Sequence, residues 1–159
     1  MDRTLNNQTP DLTNADPGFR DRIMEGHFAV LSQVEYFREN FGKTVSSWKK
    51  DGTRVTVVDQ TISENLFLPL RSSFGQDDFC SEEEAETPEP VPLKAEFCWL
   101  LDPVDGTNNY AAGITECGIS LALLRKGMPV YGFIYDYSRD KLLQGGPGLG
   151  AIEGTMPVK

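Results

Sequence analysis

Two carboxylates stand on either side of a proline near the middle of the chain. Asp102 and Asp105 follow a short apolar run, are separated by Pro103 and Val104, and are followed by Gly106. Because the proline ring holds φ near about −65°, both carboxylates and the Val104 carbonyl can surround one point, and the glycine lets the backbone approach a ligand closely. Oxygen donors gathered in this way suit Mg²⁺. The same residues also make a favourable turn, which is the better interpretation of this segment taken alone.

Two further acidic segments lie upstream, and each has an ordinary structural explanation. Thr56 and Asp59 have nearly the spacing of a capping box, which would open a helix. Glu82 belongs to the acidic run that follows Ser81, and such runs are usually solvated loops. Neither segment by itself distinguishes a structural role from a chemical one.

Taken together and in this order, the acidic segments resemble those of the inositol monophosphatase family. The matching motifs are VTxxD at 55–59, an apolar pair with Ser-Glu-Glu at 79–83, WLLDPVDGT at 99–107 and GISLA at 118–122. The resemblance runs from about residue 49 to the end of the sequence. It implies Mg²⁺-dependent hydrolysis of a small phosphate monoester by a metal-activated water, with inositol monophosphate as the first candidate. Histidinol phosphate, a 3′-phosphoadenosine nucleotide and fructose 1,6-bisphosphate remain open as substrates.

The resemblance also implies a role for each motif residue. The Mg²⁺ ligands would be Glu82, Asp102, Asp105 and the carbonyl of Val104, with two or three ions in the complete enzyme. The catalytic residues would be Asp59, Glu82 and Thr107, which orient the attacking water or relay its proton. The substrate phosphate would be bound at Asp105, Gly106 and Thr107, where backbone amides at the start of a short helix attract an anion.

The sequence departs from the family pattern in two ways. Ser81 stands where many members have glycine. The C-terminal half of the family, which supplies another aspartate for the second metal and most contacts to the rest of the substrate, is absent. The alternative is therefore a truncated module that binds metal or dimerises without catalysis. The resemblance further implies a homodimer and lithium inhibition of the complete enzyme.

The elements that must position these residues follow from periodicity. Apolar residues three and four apart predict a first helix from Phe19 to Phe41, ending at Gly42. A second helix is predicted from near Thr56, with a kink or two shorter pieces at Pro69. Between the two helices, a polar loop carries the lysines at positions 43, 49 and 50.

The remaining sequence alternates short apolar runs with turn residues. Strands are predicted at 97–101, 119–124, 130–137 and 142–144, with a last hairpin entering a strand at 156–159, and a polar surface excursion at 82–96. These elements predict an α+β fold in which two N-terminal helices pack on an antiparallel sheet.

Composition restricts the remaining possibilities. The chain has 159 residues and a formal charge of −9, which argues against a nucleic-acid partner. No apolar run is long enough to cross a membrane. Three cysteines without metal-site spacing favour a reducing compartment, so we expect a cytoplasmic protein. Residues 1–17 are polar and predict a disordered arm, and 18–159 would form the metal-binding domain.

Overall fold

Helices and strands alternate in the first half of the chain, and a strand meander makes up most of the second. The computed structural model describes residues 12, 15–48, 54–84, 93–154 and 156–157. The helices are α1 Pro17–Asn40, α2 Val57–Ser73 and α3 Thr107–Ala112, with a 3₁₀ turn at Glu82–Glu84. The strands are β1 Ser47–Trp48, β2 Arg54–Val55, β3 Asp78–Ser81, β4 Phe97–Asp105, β5 Gly118–Arg125, β6 Met128–Asp136, β7 Lys141–Gly146, β8 Gly150–Glu153 and β9 Met156–Pro157.

Seven strands form one sheet in the order of the sequence, β3 to β9. All neighbours from β4 to β9 are antiparallel, as expected for strands joined by short turns. The predicted α+β class is confirmed. The sheet is nevertheless mixed, because β3 runs parallel to β4. A strand of four residues is too short to show a period of two, and the excursion after it supplies the long crossover that parallel pairing needs.

Helices α1 and α2 lie against one face of this sheet. The inward positions of three central strands are fully buried beneath them, among them Trp99, Leu121 and Phe133. The outward positions between them are more open, as Leu100 on β4 and Ile134 on β6 show. This alternation is the period of two expected of a sheet with one covered face.

Helix α2 is not divided at Pro69, so the alternative of two shorter pieces is wrong, and a kink there stays a prediction. The helix continues from Val57 to Ser73, and Pro69 lies on its exposed side. The carbonyl of Asn65, which loses its helical donor, is also on an exposed residue and can be solvated. The buried side chains of Leu66 and Leu70 then hold the helix against the core on both sides of the proline.

The predicted arm and lysine loop lie partly outside the described residues. Of the arm, Leu12 is buried in the core and Asp16 caps α1, which begins at Pro17; disorder of the rest stays a prediction. The region predicted as a polar loop contains the short β1–β2 pair. The lysines at positions 49 and 50 lie outside the described residues.

Among the helices of the described ranges, none has the length and apolar character needed to cross a membrane.

Candidate metal centre

The parallel pairing of β3 and β4 brings two acidic segments to the same edge of the sheet. Ser81, the last residue of β3, pairs with Leu101 on β4. Glu82 follows Ser81 as the first residue of the 3₁₀ turn, and Asp102 follows Leu101 on β4. Because the carboxyl ends of parallel strands meet at one edge, these two carboxylates become neighbours although 20 positions separate them in the sequence.

A bulge in β4 turns the second aspartate toward the same region. Asp102 pairs with Ser120 and Asp105 with Gly118, so two residues of β4 stand opposite one residue of β5. The extra residue falls in the Pro103–Val104 segment, where the missing N–H of proline favours an irregular ladder. The bulge re-aims the strand end and leads directly into α3.

Gly106 is required at the turn between β4 and α3. It is the N-cap residue of α3 and has a φ of +81°, in the left-handed region that glycine adopts without strain. A Cβ atom there would lie 2.8 Å from the carbonyl oxygen of Glu116. The turn can therefore hold Asp105 and Thr107 close together only with glycine between them.

Asp59 reaches the site from α2 and is completely buried. One carboxylate oxygen accepts hydrogen bonds from the Thr56 backbone N–H at 2.8 Å and from its hydroxyl at 2.5 Å, which completes the predicted capping box. The other oxygen lies 3.4 Å from the Thr107 hydroxyl, which also lies 3.0 Å from the Val104 carbonyl. Since a hydroxyl has one proton to donate, it can serve either acceptor. Capping and site formation thus use different oxygens of one side chain.

Burial raises the pKa of Asp102 to about 8, and its neighbours contribute in the same direction. After burial, the causes are the charge of Glu82, a hydrogen bond shared with Glu82, and the charges of Asp105 and Asp59. Glu82, Asp105 and Asp59 therefore each lie within electrostatic reach of Asp102. A bound cation would oppose every one of these effects.

The donor set suits Mg²⁺, although its members do not already form a cage. Within the described residues, no three histidine, cysteine or acidic side chains stand in the arrangement of a finished metal site. The Val104 carbonyl keeps a second lone pair beside its bond to Thr107. Carboxylate and carbonyl oxygens are the ligands of a hard cation.

Two polar residues were not predicted from the sequence, Ser63 near the site and Asp77 at the opposite end of β3. Ser63 on α2 hydrogen-bonds to Ser81 at the end of β3, with 2.9 Å between their buried hydroxyl oxygens. Ser63 follows Asp59 by four positions and so lies on the same helix face, which is the signal that could have revealed it. Asp77, just before β3, forms an ion pair with Arg22 and accepts a hydrogen bond from the Trp99 ring.

Oxygen atoms gathered at the end of sheet strands, beside the start of a helix, could bind a divalent cation next to a phosphate group. Comparison with known proteins identifies the family. The model of the "Inositol monophosphatase family" matches residues 28–159. The chain belongs to this family.

Individual relatives agree with this assignment. The fructose-1,6-bisphosphatase/inositol-1-monophosphatase of Aquifex aeolicus is 31% identical over 134 residues, which cover 82% of this chain and 49% of the relative. An IMPase structure from Thermotoga maritima has a TM-score of 0.76 at 23% identity, covering 87% of this chain and 53% of that one. An IMPase/NADP phosphatase structure with Mg²⁺ and phosphate has a TM-score of 0.71 at 23% identity, with the same coverage of 87% and 53%.

The chain thus spans about half the length of the relatives it matches, 49% of the Aquifex protein and 53% of the Thermotoga structure.

Proposed function

We propose that this chain is the metal-binding portion of a Mg²⁺-dependent phosphatase that hydrolyses a small phosphate monoester, with inositol monophosphate as the first candidate. The observation that carries the proposal is geometric: the parallel pairing of β3 and β4 places Glu82 beside Asp102, the β4 bulge brings in Asp105, and Asp59 contacts Thr107. Four acidic groups from α2, β3 and β4 would not be brought together for stability, because their mutual repulsion is unfavourable without a cation.

The proposed roles follow from the position of each group. Glu82, Asp102, Asp105 and the Val104 carbonyl would hold Mg²⁺, with two or three ions in the complete enzyme. The bound ions would supply Lewis-acid activation of water and neutralise charge on the phosphate oxygens.

The chain's own residues orient the reactants. The Thr107 hydroxyl oxygen lies 3.4 Å from an Asp59 carboxylate oxygen, so the hydroxyl can donate its proton to Asp59 and accept a hydrogen bond from the attacking water. Glu82 is exposed at the end of β3 and would relay a proton. The phosphate would be held beside Asp105 by the backbone amides of Gly106 and Thr107.

The substrate within this class is left open by the residues of this chain. The Aquifex relative is named for both fructose 1,6-bisphosphate and inositol 1-phosphate, so this match selects neither. Histidinol phosphate and a 3′-phosphoadenosine nucleotide remain alternatives. The residues that select among them would lie mostly beyond the half of the family represented here.

A truncated module that binds metal or pairs with another chain, without turnover, is the competing proposal. It is supported by the coverage of about half of each relative. We further propose a homodimer and lithium inhibition for the complete enzyme, on the family resemblance. A cytoplasmic location is supported by the three free cysteines.

The decisive experiment measures phosphate release on this chain and on a longer polypeptide that includes the rest of the family's length. Inositol 1-phosphate, histidinol phosphate, a 3′-phosphoadenosine nucleotide and fructose 1,6-bisphosphate are assayed with and without Mg²⁺. We expect Mg²⁺-dependent release by the longer polypeptide, and loss of it in Asp59→Asn. A longer polypeptide that is folded and inert toward all four substrates would contradict the enzyme proposal and favour the non-catalytic module.

A further inference from the structure

A hydroxyl pair connects α2 to the end of β3 directly before Glu82. The Ser63 and Ser81 hydroxyl oxygens are 2.9 Å apart, and their residues are only 5% and 4% exposed. A buried hydroxyl that loses its partner carries a desolvation cost, so the two side chains hold each other in place. The contact thus fixes where β3 ends relative to α2.

The Ser81 hydroxyl also contacts the backbone of Glu83, the residue after Glu82. It accepts a hydrogen bond from the Glu83 backbone N–H at 3.3 Å, which closes the turn leading into the 3₁₀ segment. Glu82 itself is exposed, so neighbouring side chains pack little against it. The backbone on both sides of Glu82 is therefore tied to one hydroxyl, and that hydroxyl is tied to Ser63.

The same face of α2 holds the other half of the site. Asp59 precedes Ser63 by one helical turn and lies 3.4 Å from the Thr107 hydroxyl at the start of α3. Helix α2 therefore contacts the segment that carries Glu82 and the segment that follows Asp105. It therefore fixes the positions of these two segments, and of the proposed ligands on them, relative to each other.

We infer that Ser63 is a positioning residue, which acts through Ser81 to aim Glu82 at the proposed Mg²⁺ site. The inference rests on the proposed function, because it assumes that Glu82 is a ligand. It goes beyond the family pattern, since a glycine in place of Ser81 has no hydroxyl to offer. Ser63 contributes no ligand atom, so it affects Mg²⁺ binding only through the position of Glu82.

The test measures the Mg²⁺ affinity of this chain by calorimetry, well below its melting temperature. Because one hydrogen bond is worth a factor of about three to ten, Ser63→Ala should weaken Mg²⁺ binding by that factor. Thr61→Val is the matched control, since it removes an α2 hydroxyl that donates to the Val57 carbonyl at 2.8 Å within the helix. Its Mg²⁺ affinity should equal that of the wild type.

A second variant separates positioning from general loosening of the fold. Ser81→Gly removes the bond from the strand side, and Ser63→Ala should then cause no additional loss of Mg²⁺ affinity in the double variant. Losses that add, or an unchanged affinity in Ser63→Ala, would overturn the inference. If Ser63→Ala does not fold, a Mg²⁺ affinity of Ser81→Gly equal to that of the wild type would overturn it.

The same experiment distinguishes failure of the proposed function from failure of the positioning role of Ser63. Asp105→Asn should weaken Mg²⁺ binding whatever the role of Ser63. A weakened Asp105→Asn beside an unchanged Ser63→Ala rejects only the positioning role. A wild-type chain that binds no Mg²⁺ rejects both.

Discussion

The carboxyl group of Asp102 lies where burial and the neighbouring acidic groups all make its charged form less favourable. Burial is the largest cause of its raised pKa, and the charge of Glu82 is the next largest. A side chain that is costly to ionise in the folded protein adds little to stability. Its position therefore supports the proposal that the folded chain accepts a cation there.

Asp105→Asn should lower Mg²⁺ affinity while leaving the fold intact. The side chain is exposed, so the change removes ligand charge and little volume. Because even indirect partners of metal ligands contribute about 10- to 100-fold, we expect a loss of at least about tenfold by calorimetry. Asp21→Asn on the exposed side of α1 is the control and should bind Mg²⁺ as the wild type does. Equal affinities of Asp105→Asn and wild type would argue strongly against the ligand assignment.

His27 should make stability depend on pH in a window below its ordinary pKa of 6.5. The pKa of His27 is lowered by burial, against the opposing effect of its hydrogen bond with Gln144. Between the lowered pKa and 6.5, the unfolded chain binds a proton that the native chain does not. The contribution of neutral His27 to the free energy of unfolding is therefore fully present above pH 6.5. It decreases as the pH drops through this window, by at most about 1.4 kcal/mol per pH unit.

Urea unfolding at pH 7.5, 6.5 and 5.5 measures this effect, with His27→Gln as the comparison. As the pH falls, the free energy of unfolding of the wild type should decrease more than that of the variant. Carboxylates titrate in both proteins and cancel in the difference between them. A difference that stays constant with pH would contradict the assignment to His27.

Among the elements, α3 is tied to the end of α1 by two hydrogen bonds. The Tyr110 hydroxyl donates to the Phe37 carbonyl at 2.7 Å, and the Gly42 N–H donates to the Tyr110 carbonyl at 3.0 Å. The Phe37 carbonyl lies in the last turn of α1, where helices leave carbonyls without intrahelical donors. The predicted end of the first helix thus also anchors the helix that follows the proposed metal ligands.

Tyr110→Phe should reduce the free energy of unfolding by about 1–2 kcal/mol, because a buried carbonyl loses its donor. Thermal or urea unfolding measures the change. Tyr131→Phe is the matched control, since the Tyr131 hydroxyl is buried and has no hydrogen-bond partner within the described residues. Removing that hydroxyl should be neutral or stabilising. Equal losses in both variants would show that the Tyr110–Phe37 bond is not the cause.

The packing of α1 on the sheet depends on a glycine. A Cβ at Gly26 would lie 2.9 Å from the rings of Trp99 and Phe133. Gly26→Ala should therefore destabilise the protein by about 1–3 kcal/mol, despite the gain in helix propensity of about 1 kcal/mol. Gly132→Ala is the control, because a Cβ there meets no atom within 4 Å. Thermal unfolding should show a clear loss only for Gly26→Ala, and an unchanged Gly26→Ala would contradict this packing.

For the molecule as a whole, α2, β3 and β4 bring the proposed ligands together only when the chain is folded. A cation that binds the native state and not the unfolded chain raises stability by mass action, by about 2.7 kcal/mol at one hundred times its Kd. Mg²⁺ should therefore raise the melting temperature by about 5–10 °C under that condition. Sodium chloride at matched ionic strength should have a much smaller effect. Equal shifts with both salts would mean that the chain has no specific site.

Local features of the sequence were sufficient to predict much of this fold. The apolar spacing of α1, the capping box of Thr56 and Asp59 and the turn residues between β5, β6 and β7 each act over a few positions. The acidic motifs likewise identified the candidate site, and the structure brings its residues together. Their roles in catalysis stay predictions.

The parallel pairing of β3, the continuity of α2 past Pro69 and the link between Ser63 and Ser81 emerged only from the packed molecule. Each depends on partners that are distant in the sequence or on which side of a helix faces solvent. A helix period or a turn signal can be recognised in a short segment, because neighbours along the chain generate it. Contacts between Glu82 and Asp102 exist only because a crossover and a shared core align two strands, and no short segment contains that information.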